Sequence, residues 1–231
     1  QNTVEAYIDK WHEENGQDTP RPHMGASLLG GPCDRWLWLS FRWAVIKKHS
    51  GRMLRLFRRG NNEAEVVIAD LQAIGMNIIH HGDEQLKLDM GSHVGGSPDG
   101  ISVNGVPGIS GQHHLIEIKP HNLKSFGELK NKGVIDGKPQ HYVQMQVYMH
   151  ALDLKRALYH ATCKDDDTIY TERVKYSKEV AERAINRGQR LATQERIPEK
   201  INESPSWYQC KMCDGYKFCH VNSLTLEVNC R

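Results

Sequence analysis

Within the apolar run Leu115-Ile-Glu-Ile-Lys119 a carboxylate and an amine stand two residues apart. Side chains alternate faces along a strand, so Leu115, Glu117 and Lys119 share one face and Ile116 and Ile118 the other. Upstream, Gly-Ser-Pro-Asp-Gly at 96–100 sets Asp99 behind a proline, at the opening of a neighbouring strand. If Asp99 and Glu117 converge, they form an oxygen site for a hard divalent cation such as Mg²⁺. Lys119 beside them suits holding or polarising an attacking water, or steadying a phosphate. An isolated Glu-x-Lys on a strand is otherwise an ordinary solvated face, so the elements around it decide what it means.

Sulfur offers a second chemistry. Of six cysteines, Cys210, Cys213 and Cys219 form C-x2-C-x5-C, Cys33 stands near the start, and Cys163 and Cys230 are isolated. A C-x2-C pair closely followed by a third Cys is the pattern of a thiolate metal or cluster site rather than a disulfide set, and implies a reducing compartment. Charge offers a third. The net charge is only +2, yet Arg42, Lys47, Lys48, Arg52, Arg55, Arg58 and Arg59 follow one another with no acid between them. Such a run is either a solvated helix face or the footprint of a phosphate-backbone binder. Trp36 and Trp38 lie just before it and Trp43 at its start, as core or as a platform on which a base stacks.

The elements that must position these groups are legible from periodicity. At 231 residues, 39% of them apolar, the chain can bury one core, and no apolar run is long enough to span a bilayer. Residues 2–14 read as a short helix. A helix over 52–75 carries Ala64, Val67, Ile68, Leu71 and Ile74 on one face and ends at Gly75. Glu63 lies at the edge of that face and Glu65 points away from it. Met76–His81 and Glu84–Met90 read as strands joined by a Gly-Asp turn, and Asn104-Gly105 marks another turn. A polar helix follows over His121–Lys132, then a second from Pro139 to Leu152, on which Gln144 and Tyr148 share a face. Strands over Ala157–Cys163 and Thr168–Tyr176 precede a helix capped by Ser177 that runs to about Glu195.

Taken in order, Glu63 on a helix, Pro98-Asp99, Glu117-x-Lys119 and Gln144-x3-Tyr148 resemble the PD-(D/E)XK nuclease superfamily, in its RecB/AddB-like branch, over about residues 52–176. The resemblance implies an α/β (mixed α+β) fold with a central mixed sheet flanked by helices. It implies one nuclease domain over 1–231, with its core at about 52–196. By residue, it implies that Asp99, Glu117 and the backbone carbonyl of Ile118 bind Mg²⁺ or Mn²⁺. Lys119 becomes the catalytic lysine, and Gln144 and Tyr148 position it and the DNA strand. The family's first acid or histidine usually falls four residues after a glycine. Here Gly60 plus four is Ala64, so Glu63 is taken as the acid and possible third ligand, with Glu65 the alternative.

Cys33 with Cys210, Cys213 and Cys219 resembles the iron–sulfur staple of the small CRISPR-associated RecB-like exonucleases. It would join residues 25–51 to 197–231 around a [4Fe–4S] cluster, with zinc, and His220 as a substitute ligand, the alternative. The implied activity is a metal-dependent exonuclease of single-stranded DNA or strand ends, cytoplasmic in a phage, bacterium or archaeon. Arg42, Arg52, Arg55, Arg58 and Arg59 would contact the nucleic acid. No G-x4-G-K-[ST] P-loop is present, so any helicase or recombination partner is a separate chain. The competing reading is a non-catalytic nucleic-acid-binding module held by structural zinc.

Overall fold

The computed structural model describes residues 3–16, 21–46 and 48–221; Lys47 and Cys230 lie outside them. Its centre is strand β8 (His114–His121), almost wholly buried, as a run that is apolar on both faces requires. Beside it on one flank are β9 (Arg156–Cys163) and then β10 (Ile169–Lys175). On the other are β5 (Gly100–Ser102) and then β2 (Ile78–Ile79). The sheet order is β10-β9-β8-β5-β2, with β8 and β9 parallel and every other pair antiparallel.

A parallel pair needs a crossover. It is supplied by α4 (Leu123–Gly137), which kinks at Gly133 where φ is +70°, and by α5 (Pro139–Ala151), whose proline opens the first turn. These helices cover one face of the sheet, packing Phe126, Leu129, Met145 and Met149 with Leu115, Ala157, Tyr159 and Ala161. The opposite face is covered by α3 (Gly51–Ala73), whose Val67, Ile68 and Leu71 lie on Ile116, Ile118 and Leu158. Ile74, expected on this face, is 63% exposed, because the helix stops at Ala73 and Gly75 turns the chain with φ +91°.

The strands expected over 76–90 do not pair with each other. Gly82–Glu84 forms a 3₁₀ turn; β2 joins the main sheet, while β3 (Leu88–Asp89) joins β4 (Val94–Gly96) and β1 (Met24–Gly25) in a separate three-stranded sheet. The reason is burial: Ile78 packs beneath α3, whereas Leu88 and Met90 pack with Val94 against the larger core. The Asn104-Gly105 signal marks the start of a small hairpin, β6 (Gly105–Val106) and β7 (Ile109–Ser110), which turns at Pro107-Gly108.

The two ends of the described chain meet. In α2 (Asp34–Phe41), Trp38 Nε1 donates to the Gln194 carbonyl at 2.8 Å, and Arg42 donates to the carbonyls of Leu191, Ala192 and Gln194. These are the last carbonyls of α6 (Lys178–Thr193), which have no partners within their own helix. Asp34 completes the join by pairing with Arg187 and Arg190, each at 2.6 Å. At the N-terminus α1 (Val4–Asn15) packs on α3, where Arg55 pairs with Asp9. Arg42 and Arg55, both expected at a nucleic-acid surface, thus have structural partners. No described helix is long and apolar enough to cross a membrane.

Gly30, before α2, comes close to the backbone at the start of α5. A Cβ there would sit 2.6 Å from Gln140 Cα and 3.1 Å from the Gln140 carbonyl oxygen. Backbone atoms at the start of α5 cannot yield as a side chain does, so Gly30→Ala is expected to cost about 1–3 kcal/mol. The midpoint of denaturant unfolding measures this.

Candidate active site

Glu117 is the one acidic residue of β8. Its side chain is fully buried, and it forms an ion pair with Lys119, two residues along the same face. Neither Glu117 oxygen has a geometrically satisfactory hydrogen-bond donor among the described residues. Burial pushes the Glu117 carboxyl up to about 7, against the pull of the Lys119 ammonium. Burial works the other way on Lys119, but the Glu117 and Asp99 carboxylates outweigh it and keep the amine charged well into alkaline solution.

Asp99 enters from the turn before β5. Since Gly100 pairs with Ile116 in the antiparallel register, Asp99 falls opposite Glu117. Its Oδ2 accepts from the Ile118 backbone N–H at 2.9 Å and lies 3.8 Å from Lys119 Nζ. The two carboxylates and the lysine expected to act together are therefore brought together. Gln144 and Tyr148 reach the same place from α5: both are buried, Gln144 Nε2 is 3.5 Å from the Tyr148 hydroxyl, and that phenol is pushed up to about 12 by burial and by Glu117. Gly96 makes room for it, since a Cβ there would lie 2.6 Å from the Tyr148 hydroxyl oxygen.

Glu63 does not join this group. It is half-buried on the sheet side of α3, whereas Glu65 is exposed, but α3 covers the face opposite Glu117 and Lys119. The charge of Glu63 acts on His160, which pairs with Ile118 and shares its face; burial lowers the His160 pKa, and Glu63 and Asp70 partly offset this.

Three polar residues beside the site escaped the sequence reading. The Tyr159 phenol, on the same face as Glu117, lies between His121 Nε2 at 2.9 Å and His141 Nδ1 at 2.8 Å; His121 in turn meets Ser125 Oγ at 2.9 Å. Burial lowers His121 to about 4 and His141 to about 3, helped by Lys119 and Lys138. Both rings are thus neutral at physiological pH, so one accepts the phenol's proton and the other donates to its oxygen. The available signal was His141 on α5, three residues before Gln144 and seven before Tyr148, on their helical face.

The four cysteines of the sequence pattern also gather. Cys33, Cys210, Cys213 and Cys219 line one cavity of about 210 Å³ between the start of α2 and the short helices α7 (Tyr208–Lys211) and α8 (Tyr216–His220). Burial raises the thiols of Cys210, Cys213 and Cys219, and each is raised further by the charge of Cys33. The same cavity is lined by Arg35 and His220, whose Nε and Nε2 atoms are buried without a hydrogen-bond partner among the described residues. The five described cysteines are free thiols. Among the described residues no three His, Cys, Asp or Glu side chains are already placed to hold a single metal ion.

This architecture recurs in another protein. The crystal structure of SSO0001 matches with a TM-score of 0.57 at 14% identity, over 97% of this chain and 100% of that one. At that identity the likeness establishes a shared fold and nothing finer. Looser similarities are to LHK-Exo in complex with dAMP (TM-score 0.49, 15% identity, 81% of this chain and 90% of that one) and to an alkaline exonuclease, LHK-Exo, from Laribacter hongkongensis (TM-score 0.47, 17% identity, 74% and 87%). No family model matches the chain, and no curated protein matches it by sequence.

The raised pKa of Glu117 makes a signed prediction for the metal-free protein. Between the ordinary carboxylate value of 4.5 and about 7 the folded state holds a proton that the unfolded state releases. This group's contribution to stability therefore falls as pH rises through that window, by about 3 kcal/mol in all. Glu117→Gln removes it. In EDTA, the variant should gain on the wild type in melting temperature as pH rises from below to above that window. A difference that is flat with pH would contradict a Glu117 pKa raised by burial.

Proposed function

We propose that this chain is a metal-dependent deoxyribonuclease of the PD-(D/E)XK type, most simply an exonuclease acting on single strands or strand ends. The observation that carries the reading is Glu117, a fully buried carboxylate paired with Lys119 but without a well-aligned hydrogen-bond donor among the described residues, set opposite Asp99. A dry, unsatisfied carboxylate is costly unless a cation or a catalytic role accounts for it. The donor set fits a hard cation: Asp99, Glu117 and the Ile118 carbonyl supply oxygen, whereas Glu63, the further ligand the resemblance suggests, lies across the sheet from them. Mg²⁺ or Mn²⁺ bound there would neutralise the phosphate and acidify a water for in-line attack.

The chain's own residues do the rest. Lys119, kept protonated by two carboxylates, orients the water or a phosphate oxygen. Tyr148 and Gln144 wall the site from α5 and limit where Lys119 can move. Tyr159, held by its two histidines, presents a fixed neutral surface beside Glu117. Asp99→Asn should reduce cleavage of labelled DNA in Mg²⁺ or Mn²⁺ at least a hundredfold, with the melting temperature little changed. Near-normal cleavage by that variant would overturn the assignment. Glu63→Ala and Glu65→Ala should both leave cleavage near the wild type, because α3 covers the face opposite Glu117; a severe loss in the Glu63 variant would bring α3 into the site.

A second reading, a non-catalytic binding module held by zinc, has its own observation: the unpartnered His220 Nε2 in the cysteine cavity. Cys210, Cys213, Cys219 and His220 would suffice for zinc, whereas a [4Fe–4S] cluster takes four thiolates and draws in Cys33. We favour the cluster, since Cys33 lines the cavity and acts electrostatically on the other three thiols. Cys33→Ser should abolish the bound iron and the absorption near 400 nm expected of such a cluster. His220→Ala should leave both in place; loss of metal from the His220 variant and not from the Cys33 variant would favour zinc. Cys163, buried in β9, is the control for metal content, and Cys163→Ala should not alter it.

A further inference from the structure

A groove of about 890 Å³ lies between the start of α3, the segment connecting it to α2, and the approach to β1. Its ends touch β8 and β4, elements that flank the carboxylate site. One end is Pro120, the residue after Lys119 in β8, which lies 3.9 Å from where a Cβ on Gly60 would be. The other is His23, packed against Gly95, whose neighbour Gly96 carries the Tyr148 hydroxyl against it.

Its walls are aromatic and partly bare. Trp43 is 42% exposed and Phe57 46%, whereas Trp38 from the same sequence cluster is core. Trp43 adopts φ +55°, a left-handed backbone that a bulky residue rarely takes, and its Nε1 donates to the Arg21 carbonyl at 3.2 Å. That bond fixes the indole at the rim, and such strain persists where the surrounding structure holds a residue in a functional pose. Phe57 is set edge-on against His49 with ring centroids 4.9 Å apart. Leu56 lines both this groove and a neighbouring concavity formed by Arg52, Arg58 and Arg59 on the next face of α3. Aromatic faces beside a guanidinium track suit a polyanion whose bases are free to stack. A duplex keeps its base faces within its own stack and cannot use such rings.

Resting on the nuclease reading of the adjoining site, we propose that this groove binds unpaired bases of single-stranded DNA, with Trp43 and Phe57 as stacking surfaces and Arg52, Arg58 and Arg59 contacting the phosphates. The test is binding of a fluorescent oligothymidylate and of a blunt duplex of equal length, in EDTA so that cleavage plays no part. Trp43→Ala and Phe57→Ala should each weaken single-strand binding about tenfold and leave duplex binding near the wild type. Trp43→Phe should retain most of the affinity. Trp11→Ala, which removes an exposed aromatic of α1 that does not line the groove, should behave as wild type. Unfolding curves accompany each variant; if Trp43→Ala does not fold, Phe57→Ala decides. Unchanged single-strand affinity, or an equal loss for the duplex, overturns the proposal. A wild-type protein that binds single strands through these rings but cleaves no DNA in Mg²⁺ or Mn²⁺ would overturn the hydrolase reading and leave the groove assignment standing.

Discussion

The structure turns on one buried carboxylate. Glu117 is held dry at the centre of the sheet by strands on both sides of β8, and burial alone would drive it to the neutral acid. Lys119, two residues on, is placed by strand alternation to oppose that tendency, and Asp99 is placed by the antiparallel register of β5. The three groups form one electrostatic unit with an excess of negative charge. That is the arrangement a divalent cation would complete and a packed core would not tolerate.

Other elements follow from keeping that unit dry on one side and open on the other. The parallel pairing of β8 with β9 forces the chain through α4 and α5, and the second of these brings Gln144 and Tyr148 over the carboxylates. Apolar packing from α3 seals the opposite face. Asp99 and Lys119 keep part of their side-chain surface exposed, so the site opens toward solvent.

The ends of the chain are tied independently of this centre. Arg42 and Trp38 hold α2 to the C-terminal half of α6 through the carbonyls that a helix end leaves unsatisfied, and Asp34 does so through Arg187 and Arg190. The cysteine cavity forms against the same helix α2, with Cys33 as its N-cap, its sulfur 3.4 Å from the Trp36 amide nitrogen. A thiolate centre there would add its binding free energy to a join already made by hydrogen bonds. On the proposed reading, sulfur ligands would help hold the chain together and oxygen ligands would serve the chemistry.

Local pattern determined much of this protein before any fold was known. The apolar spacing of α3, the proline opening α5, the Ser177 cap of α6 and the alternation in β8 each follow from neighbours a few residues apart, and so did the shared faces of Glu117 with Lys119 and of Gln144 with Tyr148. Tertiary structure decided what depends on distant partners. It sent β2 and β3 to different sheets and turned Arg42 and Arg55 toward structural acceptors. It buried Trp38 while exposing Trp43, and set Glu63 on the face away from Glu117. It also assembled His121, Tyr159 and His141 from two strands and a helix. Residue type and spacing state what a side chain is able to do. Whether an arginine meets a carbonyl or a phosphate, and whether an aromatic ring lies in core or groove, is settled by which surface the rest of the chain leaves uncovered.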